Sequence, residues 1–268
     1  MDVSRNSGQQ VRSSKAMEAA ARLGLTARGL IYLMIGFLVL AVALGGKRRE
    51  TDQRGAMQAI AAHTGGADLI LLIALGLAGY ALWRYAEAAF GAAGEGKKKA
   101  PRLESLARGL VYTFLAGTAF SVYAGRHQSQ AAQSRDLSAK VMAHSGGRAL
   151  VGVVGAVIVV VGGVLMVQGV KRSFEKHLRM GKMSETARKI VIPLGVVGTV
   201  ARGAVFALVG VLVIDAAVRF DPKKATGIDA AIRTLGGQPF GRALLVVTAL
   251  GLICFGAYGL AEARWRET

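Results

Sequence analysis

Three arginines carry the most regular chemistry in the chain. Arg28, Arg108 and Arg202 each stand in an Ala-Arg-Gly triplet that opens a long apolar run, and each is followed four residues later by an aromatic ring, Tyr32, Tyr112 or Phe206. A guanidinium at the edge of an apolar segment is costly to desolvate and calls for a carboxylate, an aromatic face or a phosphate. Glu87, Gln168 and Glu262 recur at matching intervals near the ends of the runs that follow. The simplest expectation is a clamp within each unit: Arg28 with Glu87, Arg202 with Glu262, and a neutral version, Arg108 with Gln168. Snorkelling to lipid phosphate and a ring of arginines around an anionic ligand are the other readings. Since Gln168 brings no charge, Arg108 is where a bound anion is expected first. Phe206 lacks a hydroxyl, so the aromatic position reads as an interfacial anchor or cation–π partner rather than shared phenolic chemistry. Trp83, Arg84, Tyr85 and Glu87 form the richest polar cluster in any apolar run, and Arg84 can pair with Glu87 one turn away, in competition with Arg28.

No catalytic constellation accompanies these residues. His63, His127, His144 and His177 have no mutual ligand spacing, and Cys254, the single cysteine, lies inside an apolar run. Neither a metal site nor a disulfide framework is expected, and no cofactor is implied. A Gly-x-Ser-x-Gly elbow, a His-Glu-x-x-His helix and a complete phosphate-binding Gly-x-x-x-x-Gly-Lys-Ser/Thr run are all missing from the sequence. The chain reads as a non-enzyme.

The elements that must position the arginines are membrane spans. Of 268 residues 53% are hydrophobic and only 19% charged. Uncharged stretches cover residues 29–46, 69–83, 109–125, 149–170, 203–214 and 243–261. About 20 apolar residues cross a bilayer at roughly 1.5 Å per residue, so the shorter runs need a flanking charge that is paired or snorkels. In lipid their β-branched content is no obstacle, because a helix satisfies its own backbone. The net charge of +18 would suggest nucleic acid on a soluble protein, but no such binding motif is present and the cations flank apolar runs. Anionic lipid headgroups are the expected partner, with a membrane-protein partner possible and nucleic acid excluded.

The spacing organises the spans. Gly66, Gly147 and Gly241 open the even-numbered runs at the same intervals as Glu87, Gln168 and Glu262 close them. Each unit is thus two spans joined by a polar loop, the units covering approximately 16–94, 100–173 and 188–266 of a single membrane domain, 1–268. Units of two spans enter the membrane in the same direction and are parallel repeats about an axis along the normal. Pro193, Gly195 and Gly198 interrupt the approach to Arg202, so Arg188 to Arg202 reads as an interfacial lead-in helix, with the fifth span beginning near Arg202. The first apolar run starts late for a cleaved signal peptide and is expected to be a retained anchor. The termini and the connectors between units hold 20 Lys and Arg and the loops within units 13, which puts both termini in the cytoplasm.

Three stretches resemble a known family. Ala21-Arg22-Leu23-Gly24 with Ala27-Arg28-Gly29 and Tyr32, then Asp136 with Met142-Ala143-His144-Ser145-Gly146-Gly147, then Gly227-Ile228-Asp229-Ala230-Ala231 with Gln238-Pro239-Phe240-Gly241-Arg242, are similar to the bacterial membrane family called domain of unknown function 1206. The resemblance covers nearly the whole chain and implies six spans in three tandem two-span units. The first unit departs from it in having Thr64-Gly65-Gly66 where the third has Pro239-Phe240-Gly241. Mitochondrial-type metabolite carriers are also triplicated, but none of Pro101, Pro193, Pro222 and Pro239 begins their Pro-x-acid-x-x-base signature.

The expected molecule is an all-α membrane protein of six transmembrane helices, three parallel hairpins in a pseudo-threefold arrangement, in the bacterial inner membrane. A structural or interaction role is the leading reading. The alternative is a transporter or channel for a small anionic solute or lipid along the pseudo-threefold axis, which a polar-lined opening there would favour.

Overall fold

A computed structural model describes residues 15–46, 50–90, 99–126, 129–221 and 227–266. His127, the basic run Lys47–Arg49 and the N-terminal segment before Lys15 lie outside the described residues. The described chain is helical throughout: α1 (Lys15–Ala43), α2 (Gln53–Ala61), α3 (Gly66–Phe90), α4 (Lys99–Tyr123), α5 (Gln130–Met142), α6 (Gly147–Val170), α7 (Glu185–Arg219), α8 (Ile228–Gly236) and α9 (Gly241–Trp265), with two short 3₁₀ turns between α6 and α7. Five of these, α1, α3, α6, α7 and α9, are long and apolar enough to cross a membrane. The short helices α2, α5 and α8 follow the first long helix of each unit and define a loop face. The opposite, terminal face carries the connector between α6 and α7 and the end of α9.

Local chemistry sets the boundaries. Asp52, Ser129 and Ser184 cap α2, α5 and α7 by accepting from backbone N–H groups three residues on, at 2.9, 3.3 and 3.2 Å. The turn entering each second long helix places one residue in the left-handed region, Gly65 and Gly146 in two units and Phe240 (φ 62°) in the third. The family-like Pro-Phe-Gly turn therefore carries a strain that its glycine counterparts avoid.

The helices pack in the spatial order α6, α7, α9, α1, α3, α4. The closest neighbours belong to consecutive units: α3 with α4, α6 with α7, and α9 with α1. These three contacts use equivalent positions. A Cβ at Gly29 would meet the Gly256 carbonyl and Leu260, one at Gly203 the Gly162 carbonyl and Met166, and one at Gly109 the ring of Tyr85. Without a hydrophobic drive between helices in lipid, such close backbone approach is what dispersion and packing require.

Within units the first and second long helices cross more loosely. Gly24 faces Tyr80 where α1 crosses α3, and the equivalent Gly198 faces Phe255 where α7 crosses α9. In the middle unit α4 and α6 do not pack along one another. Their sequence explains it: Glu104 stands where Gly24 and Gly198 are, and Val157 where Gly76 and Gly251 are. A charge and a β-branched side chain replace the two glycines that let the other hairpins close.

The lead-in to Arg202 is not a separate interfacial helix. α7 runs unbroken through Pro193 for 35 residues, about 52 Å at 1.5 Å per residue. Gly195 and Gly198 admit Phe174, Tyr258 and Phe255 against this helix, so the glycines serve packing and the extra turns are held by α9. The connector before it is tied down as well, with Leu178 buried and the Arg179 N–H donating to the Trp265 carbonyl at 2.8 Å.

Candidate functional site

The repeated arginines converge on a cluster at the terminal half of the bundle. Arg28 on α1 donates to Glu262 on α9 at 2.5 Å, and Arg266 donates to the other carboxylate oxygen of the same glutamate. The pair therefore joins the first unit to the third. Glu87 accepts from Arg84 on its own helix at 2.6 Å and from the Ser105 hydroxyl of α4 at 3.2 Å. The within-unit clamps Arg28–Glu87 and Arg202–Glu262 do not form. The physical reason is the packing order: the second helix of one unit lies closest to the first helix of the next, which brings Glu262 to Arg28.

By the same geometry Glu87 belongs opposite Arg108 and Gln168 opposite Arg202. Arg84 captures Glu87, and Arg108, partly exposed, pairs with Glu104 one turn before it. Among the described residues Arg202 is flanked by aromatic side chains and has no carboxylate. Its guanidinium carbon lies 4.9 Å from the centre of Phe255, 5.2 Å from Phe206 and 5.5 Å from Tyr32, and its buried Nε has no hydrogen-bond partner among the described residues. Gln168 is exposed at the end of α6. The arginine without a carboxylate is Arg202, in place of the Arg108 expected from pairing within units.

Aromatic side chains fill the space between. Tyr112 packs edge-on against Tyr80 at 4.4 Å, and its phenol faces Arg28, Arg202 and Arg84. Tyr32 packs on Phe255 at 4.7 Å. The Tyr80 hydroxyl accepts from Arg84 at 2.6 and 3.1 Å, while Trp83 stacks on the same guanidinium at 4.4 Å. Of the repeated arginines, aromatics and acids singled out by spacing, all but Gln168 and Arg108 thus take part in a pairing or ring contact of this cluster. Sequence reasoning missed Tyr80, Phe255, Ser105 and Arg266. Arg266 could have been found, since it follows Glu262 by one helical turn. Among the described residues Arg28, Arg84 and Arg266 pair with two carboxylates, Glu87 and Glu262, and with Arg202 make a net positive charge in an apolar setting.

A second polar region lies on the loop face. Asp229 on α8 accepts from the Thr51 amide and hydroxyl at 3.2 and 3.1 Å and from Arg233 at 2.6 Å. Arg54 on α2 reaches the end of α4, donating to the Ser121 hydroxyl at 3.1 Å and the Arg126 carbonyl at 2.5 Å. Asp52 lies beside them, and burial pushes its carboxyl up to about 6, with Glu50 and Asp229 adding to the rise and the Gly55 amide opposing it. Next to this cluster a cavity of about 580 Å³ opens between α5, α7 and α8, with Arg135, Asp215, Asp229 and Arg233 on its walls. No group of His, Cys, Asp and Glu among the described residues is arranged to hold a metal ion. His177, on the terminal-face connector, is shifted down by partial burial and by Arg266 and Lys176.

A family model described as Domain of Unknown Function (DUF1206) matches three tandem regions, residues 23–91, 103–172 and 197–266. These regions begin within α1, α4 and α7 and run through the ends of α3, α6 and α9. A protein of Bacillus subtilis (strain 168), described as "Uncharacterized protein YxxB", is 31% identical over 249 residues, covering 92% of this chain and 90% of that protein. No solved structure matches.

Proposed function

The chain belongs to the DUF1206 family, and from that premise we propose that it is a non-enzymatic, six-span structural or interaction protein of the bacterial inner membrane. In this reading α4 is the sixth span. Its 25 residues extend about 38 Å, and it is the element that carries the chain from the terminal face, where α3 ends, to the loop face, where α6 begins. The three hairpins form a pseudo-threefold ring of parallel repeats, with both termini cytoplasmic and the basic terminal face against anionic headgroups.

The observation that carries the structural reading is the filled interior. Tyr32, Tyr80, Tyr112 and Phe255 occupy the arginine level, and Ile31, Ile35, Val39 and Leu77 continue the packing toward the loop face, all buried. A solute pathway needs polar walls there. The second reading, passage of a small anionic solute or lipid along the axis, draws on the positive charge of the same cluster.

The test is topology together with partner recovery. In a Cys254→Ser background, cysteines placed at Thr64, Ser145 and Gln238 should react with an impermeant reagent from the periplasmic side only. A cysteine at Lys182 should react from the cytoplasmic side only. Labelling of all four from one side would reject the span arrangement. Isolation in native lipid should recover a membrane-protein partner, and flux of an anion through reconstituted protein would favour the second reading over the first.

A further inference from the structure

The ring of long helices is closed at five of its six contacts and open at the sixth, between α4 and α6. Equivalent positions show the opening directly. Ile31 and Val205 are 2% and 5% exposed, whereas their counterpart Val111 on α4 is 55% exposed. Tyr80 and Phe255 are 1% and 3% exposed, whereas their counterpart Val161 on α6 is 42% exposed. Val111 and Phe114 on α4 and Val157 and Val161 on α6 are therefore left exposed, a seam on the faces that close the other two hairpins, and Tyr112 beside Val111 is buried within the arginine cluster.

We infer that this seam is the binding site of an anionic phospholipid, with an acyl chain lying between α4 and α6 and the headgroup phosphate on Arg202. Two independent features specify such an occupant. The first is charge. Arg202 holds the position that Arg28 holds in the first unit, but the position equivalent to Glu262 is Gln168, and among the described residues its contacts are with aromatic side chains. An anion supplied from outside completes the set that Glu262 completes for Arg28. A phosphate does so with charge-assisted hydrogen bonds in a setting of low dielectric.

The second feature is the shape of the seam walls. The tight backbone approaches between consecutive units are made over glycine, as at Gly29, Gly162, Gly203 and Gly256. The walls of the seam are valines and Phe114. A transmembrane helix of a partner, or of a second copy, needs small residues to dock closely, whereas a flexible acyl chain fits between branched side chains. The positions where the other hairpins carry Gly76 and Gly251 carry Val157 here, so the seam cannot close on itself as its counterparts do.

The inference rests on the membrane reading above, and its test separates the two. The full-length protein is isolated in mild detergent, stripped of lipid, and exposed to phosphatidylglycerol or phosphatidylcholine while retained lipid is weighed by mass spectrometry of the intact complex. The wild type should retain phosphatidylglycerol about tenfold more strongly than phosphatidylcholine, the scale of one charge-assisted hydrogen-bonded contact. Gln168→Glu supplies Arg202 with a carboxylate while leaving every arginine in place, and should abolish that preference. Arg202→Gln should do the same, and Val161→Trp, which fills the seam, should reduce retention of both lipids. Equal retention of the two lipids by the wild type would overturn the inference, as would a preference that survives Gln168→Glu. Displacement of the lipid by millimolar inorganic phosphate, or an added mass equal to a second protein chain, would also overturn it. Cysteine labelling that still gives the six-span pattern would then leave the fold reading standing by itself.

Discussion

Arg28 and Glu262 meet at 2.5 Å although they belong to the first and third units, and Arg266 secures the same carboxylate from the other side. The chain is therefore fastened across unit boundaries. Removing Glu262 leaves two buried guanidiniums without their carboxylate, whereas removing Arg28 leaves Glu262 paired with Arg266. Glu262→Ala should cost about 3–5 kcal/mol, Arg28→Ala less, and the double variant should cost less than the sum by about 1–3 kcal/mol. Arg28→Ala with Glu87→Ala should be additive to within about 0.5 kcal/mol. Denaturant titration in detergent measures both cycles.

Two adjacent glycines on α6 should behave oppositely. A Cβ at Gly162 would stand 2.5 Å from the Ala207 nitrogen and 2.7 Å from the Gly203 carbonyl, while at Gly163 nothing lies within 4 Å. Gly162→Ala should destabilise by about 1–3 kcal/mol through overpacking. Gly163→Ala should be neutral or stabilising by up to about 1 kcal/mol, since it only removes backbone freedom. Thermal denaturation of the two variants side by side decides the point.

The loop-face carboxyl gives a signed pH dependence. Asp52 titrates at about 6 in the folded protein against an ordinary value of 3.8, so the native state holds this proton where the unfolded chain has lost it. Its contribution to stability is greatest below about pH 4, declines as pH rises toward about 6, and is constant above, a total of about 3 kcal/mol for a shift of about two units. Asp52→Asn should remove that part of the slope between pH 4 and 7. Glu50, Asp229, Arg233 and Arg54 also act on this region, so the quantity to compare is the difference between wild type and variant in melting temperature at each pH.

Arg54 ties α2 to the end of α4 through two different nitrogens. Replacing it with alanine should cost about 1–3 kcal/mol, since the part-buried Arg126 carbonyl loses its guanidinium donor and the Ser121 hydroxyl keeps only its bond to the Thr118 carbonyl. Lysine should recover little, since a single ammonium cannot reproduce a planar fork. Protease resistance of the loop face is a convenient readout.

Much of this architecture was legible in spacing. The Ala-Arg-Gly triplets mark the first long helix of each unit, and the glycines at 66, 147 and 241 mark the start of the second. What spacing could not supply was the partner of each arginine. Positions 28, 87 and 262 are fixed along the sequence, but whether a second helix lies closer to its own first helix or to that of the next unit is a property of three-dimensional packing. The difference moved the uncompensated cation from Arg108 to Arg202. Pro193 misled for a related reason: proline disfavours an interior helical position, yet neighbouring helices can support the interrupted turn in an apolar setting. The reason α4 and α6 stay apart was present in Glu104 and Val157, but it becomes readable only once Gly24–Tyr80 and Gly198–Phe255 are seen to touch.

The close contact of α9 with α1 also sets an order of events during synthesis. α1 emerges from the ribosome before any other described helix, and the surface it needs, around Gly256 and Leu260, lies on α9, the last of the described helices to emerge. Until then the glycine face of α1 stands against lipid or against the insertion machinery, and Arg28 waits in the membrane interface without Glu262. A nascent chain interrupted before α9 should be recognisable to quality control as incomplete, because its earliest helix is the one still missing its partner.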